Sequence, residues 1–416
     1  MVVSDKFQKI KTDLEDFEHK LKSSALTAPN TLYIFGFIIY YIHKMMMTTM
    51  TPWTIYLRNT LPFLEFTIIF SLLLKIFLHD REDSKFPKLI FTAFASLVLS
   101  VFFLSYGSVN TLAICMYILF IVAADNVDFK KVCLAVFVTS MIVISFVTCF
   151  SQFGRITDLI IFYRIPRHSF GFIYPTDYAA HWLFAFLAYF YFREGIFKWY
   201  DYPIIMISAL FLLFFCEAKT SFIMILFILF LSILFRTKWL YKLFDKIKIF
   251  FIASPVIMAF FSILSTLIFG SYLSSKGFID ENSIIHRLTT GMKMISRYGF
   301  HLKGNYILEE GFGGSTGPIT DYTFIDNSYL KIALRYGLIM FAIILLYLTF
   351  LMLRCIRKKD YVMLAIMVIV LIDCVLEHHL IDFSYNIFFF TAFVQLCSHN
   401  EKPKENTKPK TLNRIK

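Results

Sequence analysis

The chain has 416 residues, of which 58% are hydrophobic, 19% aromatic and only 17% charged. A soluble domain usually carries about 25% charged residues, so this composition excludes an ordinary water-soluble fold. The formal net charge of +12 does not require a nucleic-acid partner, because basic tails and loops lie favourably against anionic membrane lipids.

The N-terminal tail, residues 1–30, is charged and amphipathic. Its apolar residues Phe7, Ile10, Leu14 and Phe17 recur three and four positions apart, which predicts a helix on the cytoplasmic surface. Such a helix fits either an interfacial anchor or a solvated cap. Nothing in this stretch has the pattern of a cleavable signal peptide.

Residues 31–397 are predicted to form a membrane domain. The apolar runs are long and continuous and lack the alternation of barrel strands, so they predict transmembrane helices. We expect an all-α, polytopic integral membrane protein with about twelve transmembrane helices and a large extracytoplasmic loop, 271–325, between helices 9 and 10. The predicted spans are 31–49, 61–78, 86–104, 109–124, 132–152, 176–192, 201–216, 220–235, 248–270, 326–352, 360–378 and 383–397.

The distribution of basic residues predicts the orientation of the chain. With these spans, 27 Lys and Arg residues fall in loops and tails on one side of the membrane and 11 on the other. Cytoplasmic segments carry the excess of positive charge, so both termini, including the basic C-terminal tail 398–416, are predicted to be cytoplasmic. The seven cysteines form no CxxC pair and indicate neither a disulfide framework nor a zinc site.

Two predicted outer loops carry unexpected charge. Residues 153–175 contain Arg155, Arg164 and Arg167, and His168 directly follows Arg167. Guanidinium groups suit phosphate oxygens, so these arginines fit an anionic ligand, or alternatively the phosphates of outer lipids. In the tight turn after residue 216, Glu217 and Lys219 either face a wet cavity or pair with each other.

The long outer loop is predicted to begin with an amphipathic helix. Ile284, Leu288 and Met292 recur at helical spacing, His286, Lys293 and Arg297 fall on the other face, and Arg287 lies at the boundary. The basic face would fit a diphosphate. A Gly-rich stretch, 311–317, then offers backbone N–H groups for an anion nest, but it lacks the ending of a nucleotide P-loop.

Acidic residues border the last two predicted outer turns. Asp326 and Asn327 precede the tenth span, where Asp326 fits a helix N-cap, an active-site carboxylate, or both. Arg335, one turn beyond Lys331, indicates an anionic substrate near the entrance. In the last outer turn, Glu377 and His378 do not match a metal-binding motif, and a general base or a partner for a sugar hydroxyl is the better interpretation.

Several of these motifs together resemble the O-antigen polymerase family. Ser169-Phe170-Gly171-Phe172 with Pro175-Thr176-Asp177 resembles the family's Ser-x-Gly-Phe and Pro-Asn stretch. The family's large outer loop and the exit from it are resembled by Arg287 with Gly291, the Gly-rich stretch and Asp326-Asn327-Ser328-Tyr329-Leu330. Its last outer turn is resembled by Glu377 with Asn386. The resemblance covers residues 165–390. Lys219 stands where the family often has arginine, and Asp177 where it has asparagine.

The resemblance implies a metal- and nucleotide-independent glycosyltransferase, without cofactors, in a bacterial plasma membrane. It would transfer a growing glycan from undecaprenyl diphosphate to the non-reducing end of the next lipid-linked oligosaccharide, in O-antigen, capsule or exopolysaccharide synthesis. A chain-length regulator is a possible protein partner. The expected catalytic residues are Arg287, Asp326, Glu377 and His378. The expected substrate-binding residues are Arg164, Arg167, His168, Lys219, Arg297, Asn327 and Arg335.

Two alternatives share the predicted topology. An O-antigen ligase-like transferase would hand the glycan to a different acceptor, and Asp326, where we would expect histidine in a ligase, favours the polymerase. A flippase of lipid-linked oligosaccharides is the second alternative. Transporters are commonly built from repeated halves, and the first half of this chain has no loop like 271–325.

Overall fold

The computed structural model describes residues 28–80, 82–104, 111–162, 165–276, 284–315, 317 and 319–396. This part of the chain is mostly helical and contains one small antiparallel sheet. Residues 1–27 of the predicted N-terminal helix and the predicted basic C-terminal tail lie outside the described residues.

The helices before the sheet occupy the intervals that the apolar runs predict. They are α1 (Pro29–Met46), α2 (Thr54–His79), α3 (Glu82–Leu104), α4 (Thr111–Ala123) and α5 (Phe129–Gln152). α1 packs against both α2 and α5, and α3 packs against α4. Aromatic side chains fill the space between them, since the ring centroids of Phe37 and Phe120 lie 5.4 Å apart in an edge-on arrangement.

A short hairpin follows α5 and leads to a deeply buried helix. β1 (Ile160–Phe162) pairs antiparallel with β2 (Pro166–His168). Beyond it, the N–H of Ile173 donates to the carbonyl of Thr48, which fastens this segment to the loop after α1. The chain continues into α6 (Pro175–Phe192), which packs against α5 and against the next helices, α7 (Asp201–Cys216) and α8 (Lys219–Leu234).

The remaining helices precede, lie within or follow the long loop 271–325. They are α9 (Lys238–Lys246), α10 (Lys248–Ser265) with a π-helical turn (Thr266–Gly270), α11 (Ser271–Ser275), α12 (Ile284–Tyr298), α13 (Ser328–Lys331) with a second π-helical turn (Ile332–Tyr336), α14 (Gly337–Lys358), α15 (Tyr361–Asp373) and a 3-10 turn (Ile387–Phe390). The predicted amphipathic helix of the loop is therefore present as α12.

The long loop is fastened to the break before α14. The N–H of Leu338 donates to the carbonyl of His301, and the N–H of Asn305 donates to the carbonyl of Leu334, both at 3.0 Å. Gly337 has a φ of +85°, and a Cβ there would lie 2.5 Å from the backbone oxygen of Leu302. Only glycine tolerates both the backbone conformation and this close approach.

Four helical segments of the described chain are long and apolar enough to cross a membrane: Arg58–His79, Phe129–Gln152, Lys248–Ser275 and Ser328–Lys358. The number becomes five if α8 and α9, which meet at an angle of 109°, are counted as one broken span. Segments of this length and composition are those of a membrane protein. The predicted number of about twelve spans stays a prediction.

The prediction of a helix at the twelfth span, 383–397, is wrong where this segment is described. The chain there forms turns and the 3-10 turn. Its side chains are nevertheless deeply buried, and Phe383, Phe388 and Phe390 have no exposed surface. The apolar composition predicted burial correctly, but composition alone does not distinguish a buried helix from a buried irregular segment.

Neighbouring side chains supply the hydrogen bonds that a helix would have made in this segment. The guanidinium of Arg354 donates to the carbonyls of Thr391, at 2.7 Å, and Val394. The hydroxyl of Tyr347 donates to the carbonyl of Phe389 at 2.6 Å. Irregular backbone is tolerated among apolar helices where protein encloses and satisfies it.

Candidate functional site

The site is centred on the guanidinium of Arg287, which contacts two carboxylates from distant parts of the chain. Its Nη1 donates to Oε1 of Glu377 at 2.9 Å and to the carbonyl of Leu376 at 2.6 Å. Its Nε lies 3.8 Å from Oδ2 of Asp326. Three of the four predicted catalytic residues therefore meet, although 90 positions separate Arg287 from Glu377.

The hydroxyl of Ser328 joins the two chain segments that carry the carboxylates. Its Oγ donates to the carbonyl of Glu377 at 2.6 Å and accepts from the N–H of Leu380 at 3.2 Å. The N–H of Ser328 donates to the carbonyl of Cys374 at 3.1 Å. These bonds hold the start of α13 beside the turn after α15, which fixes Asp326 and Glu377 on either side of Arg287.

Asn327, and not Asp326, caps the helix that follows. The Asn327 side chain accepts from the N–H of Leu330 at 3.1 Å, and its amide donates to the hydroxyl of Ser262. The N-cap interpretation of Asp326 is therefore wrong, because the cap lies one residue later. The Asp326 carboxylate is left directed at Arg287. The prediction that Asn327 binds substrate has no support in these contacts, which use its side chain structurally.

Burial and ion pairing act on the protonation of these groups. Burial raises the pKa of Glu377 and the pKa of Asp326, and in both cases Arg287 partly opposes the rise. Burial disfavours the charge of Arg287 itself, but the carboxylates of Glu377 and Asp326 together raise its pKa above the usual range. The arginine is thus a permanent cation between two carboxylates that are harder to ionise than exposed ones.

His378, the fourth predicted catalytic residue, borders the same cluster. Its ring packs edge-on against Phe324, with centroids 5.0 Å apart, and its Nδ1 is buried without a hydrogen-bond partner. Burial, reinforced by the neighbouring His379 and by Lys331, lowers the pKa of His378 well below its ordinary value. The imidazole is therefore neutral, and its lowered pKa makes it a weak proton acceptor.

Arg167, another predicted substrate-binding residue, interacts electrostatically with this cluster. It is 6% exposed, and its Nε donates to the carbonyl of Cys216 at 3.0 Å. Its charge lowers the pKa of Glu377, so the two groups interact. The ring of Tyr174 lies 5.8 Å from the guanidinium of Arg167. A second cation is thus held close to the Arg287 cluster.

Four other predicted substrate-binding residues contact carboxylates at different places. His168 contacts Asp158 at 2.6 Å, Lys219 contacts Glu217 at 2.9 Å, Arg297 contacts Asp321 at 2.7 Å and Arg335 contacts Glu309 at 2.8 Å. For Lys219, this is the mutual pairing that the sequence left open. Each pair would have to open, or share its cation, to bind a phosphate. Arg164 lies outside the described residues.

The Gly-rich stretch has a structural partner. The N–H of Gly314 donates to the carbonyl of Ile173 at 2.8 Å, so this donor is not directed at an anion. The contact brings the long loop against the segment that leads from the hairpin into α6. The stretch therefore helps to close the site, and the described part of it gives the predicted anion nest no support.

Sequence reasoning missed part of the buried polar environment. Asp177, Asp373 and Tyr385 are almost completely buried near Glu377, and the two acids interact with its carboxylate. Within the described part of the chain, neither oxygen of Asp373 has a hydrogen-bond partner, and both ring nitrogens of the buried His379 also lack one. An acid at the end of an apolar helix was the signal that could have revealed Asp373.

Two groups of side chains in the described residues could each offer ligands to a metal ion. The ligand atoms of Asp177, His378 and His379 lie within 4.8 Å of one another, as do those of Asp326, Glu377 and His378. In the second group, Arg287 already contacts both carboxylates. The expectation of a metal-independent site stays a prediction.

Comparisons of the chain with models of protein families, with curated proteins and with solved structures gave no match. Function is therefore inferred from the site and from the resemblance of its motifs.

Proposed function

We propose that the protein is a polysaccharide repeat-unit polymerase of the O-antigen polymerase type. It transfers a growing glycan from undecaprenyl diphosphate to a hydroxyl at the non-reducing end of the next lipid-linked oligosaccharide. The acceptor oxygen forms a bond to the anomeric carbon of the donor while the bond from that carbon to the diphosphate oxygen breaks. The acceptor proton passes to a base, and undecaprenyl diphosphate leaves.

The observation that carries this proposal is the Arg287 guanidinium between Asp326 and Glu377. A leaving diphosphate gains negative charge in the transition state, and a fixed cation in a buried site stabilises that charge. Among the described residues, Nη2 of Arg287 makes no hydrogen bond, so this nitrogen is available to a phosphate oxygen. Arg167 supplies a second cation nearby.

Asp326 is the better candidate for the base. The Glu377 carboxylate is held by a direct hydrogen bond from Arg287, whereas Asp326 lies 3.8 Å from the guanidinium. Asp326 also retains 17% exposure of its side chain, against 6% for Glu377. Glu377 then orients the arginine, Asp326 accepts the proton, and His378 borders the acceptor side.

The proposed setting is the outer face of a bacterial plasma membrane, with the N-terminus cytoplasmic. The loop 271–325 would lie outside, where the lipid-linked units arrive after export. The reaction needs no nucleotide, since the diphosphate linkage supplies its free energy. Membrane lipids and a chain-length regulator are the proposed partners.

The test is a gel of surface polysaccharide from cells that lack this gene, complemented with the wild-type chain or with Arg287→Ala. The proposal predicts that deletion abolishes long chains while single repeat units are still made and exported, and that only the wild-type gene restores polymer. Arg357→Ala, on the exposed end of α14, is the matched control and should restore polymer fully.

The alternatives give different results in the same cells. Accumulation of single units only on the cytoplasmic face would identify a flippase and refute the polymerase. Normal chain length on the lipid carrier, with loss of glycan from its final acceptor, would identify a ligase.

A further inference from the structure

A large apolar cavity lies between α3, α4, α14 and the irregular segment that contains the 3-10 turn. Its volume is about 930 Å³. Its walls are mostly aliphatic and aromatic, with Phe94 and Val98 from α3, Ile118 from α4, Ile343 from α14 and Phe393 from the irregular segment. Phe94 is also 65% exposed, so part of the cavity wall lies at an apolar surface of the molecule. These features fit a hydrocarbon chain that enters from the membrane.

One end of this cavity is polar, with Lys44, Lys331, Arg335 and a single acid, Asp382, among its lining residues. Glu309 contacts both Lys331, at 2.9 Å, and Arg335, at 2.8 Å, so these two cations share one carboxylate. Among the described residues, nothing accepts a hydrogen bond from the buried Nε of Arg335. An unpaired buried donor at a basic end suits a phosphate group.

The polar end adjoins the candidate active site. Ser328 and His378 line the cavity, and Ser328 is also the residue that joins the segments carrying Asp326 and Glu377. A lipid whose chain fills the cavity would therefore present its headgroup beside the Arg287 cluster. Among membrane lipids, a substrate carrier is the kind that needs this position.

We propose that this cavity binds the polyprenyl chain of the diphosphate-linked carrier, with its phosphates at the Lys44, Lys331 and Arg335 end. The inference rests on the proposed function, because it names the place of that reaction's lipid. The branched, unsaturated chain lies against the aromatic walls, and the cationic end holds the diphosphate before and after transfer.

The test measures retention of radiolabelled undecaprenyl diphosphate by the full-length chain in phosphatidylcholine nanodiscs. Ala95 lines the cavity on α3, so Ala95→Trp should fill it and lower the affinity by about tenfold or more. Leu97, two positions along the same helix, is 63% exposed and does not line the cavity. Leu97→Trp is therefore the matched control and should bind as the wild type does.

A second variant separates headgroup from chain. Lys44→Gln should weaken binding of undecaprenyl diphosphate by about fivefold, through the loss of one charge-assisted contact, and leave binding of undecaprenol unchanged. Equal loss for both lipids would contradict a phosphate site at Lys44. Equal displacement of the carrier by phosphatidic acid would show a general lipid cavity and overturn the proposal, as would unaltered binding to Ala95→Trp.

The same preparations distinguish failure of this inference from failure of the polymerase. A wild-type chain that retains the carrier in the cavity but extends no glycan would refute the proposed reaction and leave the binding site standing. A wild-type chain that polymerises, with Ala95→Trp equal to it in both binding and polymer length, would refute the cavity alone.

Discussion

The guanidinium of Arg287 contacts Glu377 and Asp326 through different nitrogens, Nη1 and Nε. A lysine ammonium is a compact charge and cannot keep both carboxylates in these directions while it presents another N–H to a substrate. The chemistry of the site therefore depends on an arginine at this position.

Arg287→Lys should lose most of the polymerase activity, and Arg287→Ala essentially all of it. The lysine keeps one charge, whereas alanine leaves two carboxylates without their cation, which costs about 3–5 kcal/mol when a buried pair is broken. Polymer length in membranes and the thermal midpoint of the purified chain are the measurements. Full activity in both variants would refute a role for Arg287 with the diphosphate.

Asp326→Asn should lower the rate of transfer by about 10²–10⁴-fold, the usual contribution of a general base, with little change in stability. Asn327→Ala should do the opposite and lower the free energy of unfolding by about 1 kcal/mol, because it removes the helix cap. Initial rates and thermal midpoints of the two variants distinguish the roles. A larger rate loss in Asn327→Ala would reverse the assignment.

The pH profile tests the same residue. Burial raises the pKa of Asp326 above its ordinary value, and a base acts only when deprotonated. Activity should therefore rise as the pH increases through this raised pKa, and this rise should be absent from the residual activity of Asp326→Asn. If the rise is unchanged in that variant, it belongs to the titration of another group, and Glu377 and His378 are the first to test.

The irregular segment after α15 shows how a non-helical element is kept inside an apolar molecule. Its backbone carbonyls receive hydrogen bonds from Arg354 and Tyr347 on α14, and its side chains are buried against α1 and α4. Phe383 lies 4.7 Å from Phe37 and 5.1 Å from Phe120, measured between ring centroids. The segment is part of the core and forms one wall of the proposed lipid cavity.

Arg354→Ala should destabilise the protein by about 1.5–3 kcal/mol, because buried carbonyls lose a hydrogen bond from a charged donor. Arg357→Ala, three positions along the same helix and exposed, should have little effect. Thermal unfolding in detergent measures both. Equal midpoints for the two variants would mean that the irregular segment does not depend on this arginine.

The orientation of the long loop relative to the membrane can be measured directly. The side chain of Asn305 donates to the carbonyls of Gly299 and Leu334, so a cysteine at position 305 would disturb the loop. Lys303 is exposed and is the better position for a cysteine. Lys303→Cys should react with a membrane-impermeant thiol reagent added to intact cells. Trp239→Cys on α9 should react only after the membrane is opened, and the reverse pattern would overturn the predicted topology.

The apolar pattern of the sequence was sufficient to predict a helical membrane protein and the positions of most of its helices. Long apolar runs must bury their backbone polar groups within themselves, so eleven of the twelve predicted intervals contain helices in the structure. Residues 383–397 were the exception, because their hydrogen bonds come from Arg354 and Tyr347 elsewhere in the chain.

The packing of distant segments determines which charged residues meet. Local patterns indicated Arg287, Asp326, Glu377 and His378 as functional, but they equally indicated His168, Lys219, Arg297 and Arg335, which contact carboxylates elsewhere. They also could not decide whether Asp326 or Asn327 caps the helix. Sequence spacing fixes neighbours along one helix, whereas the meeting of Arg287 with Glu377 depends on how distant segments pack. Packing depends on the whole chain, and no single stretch contains that information.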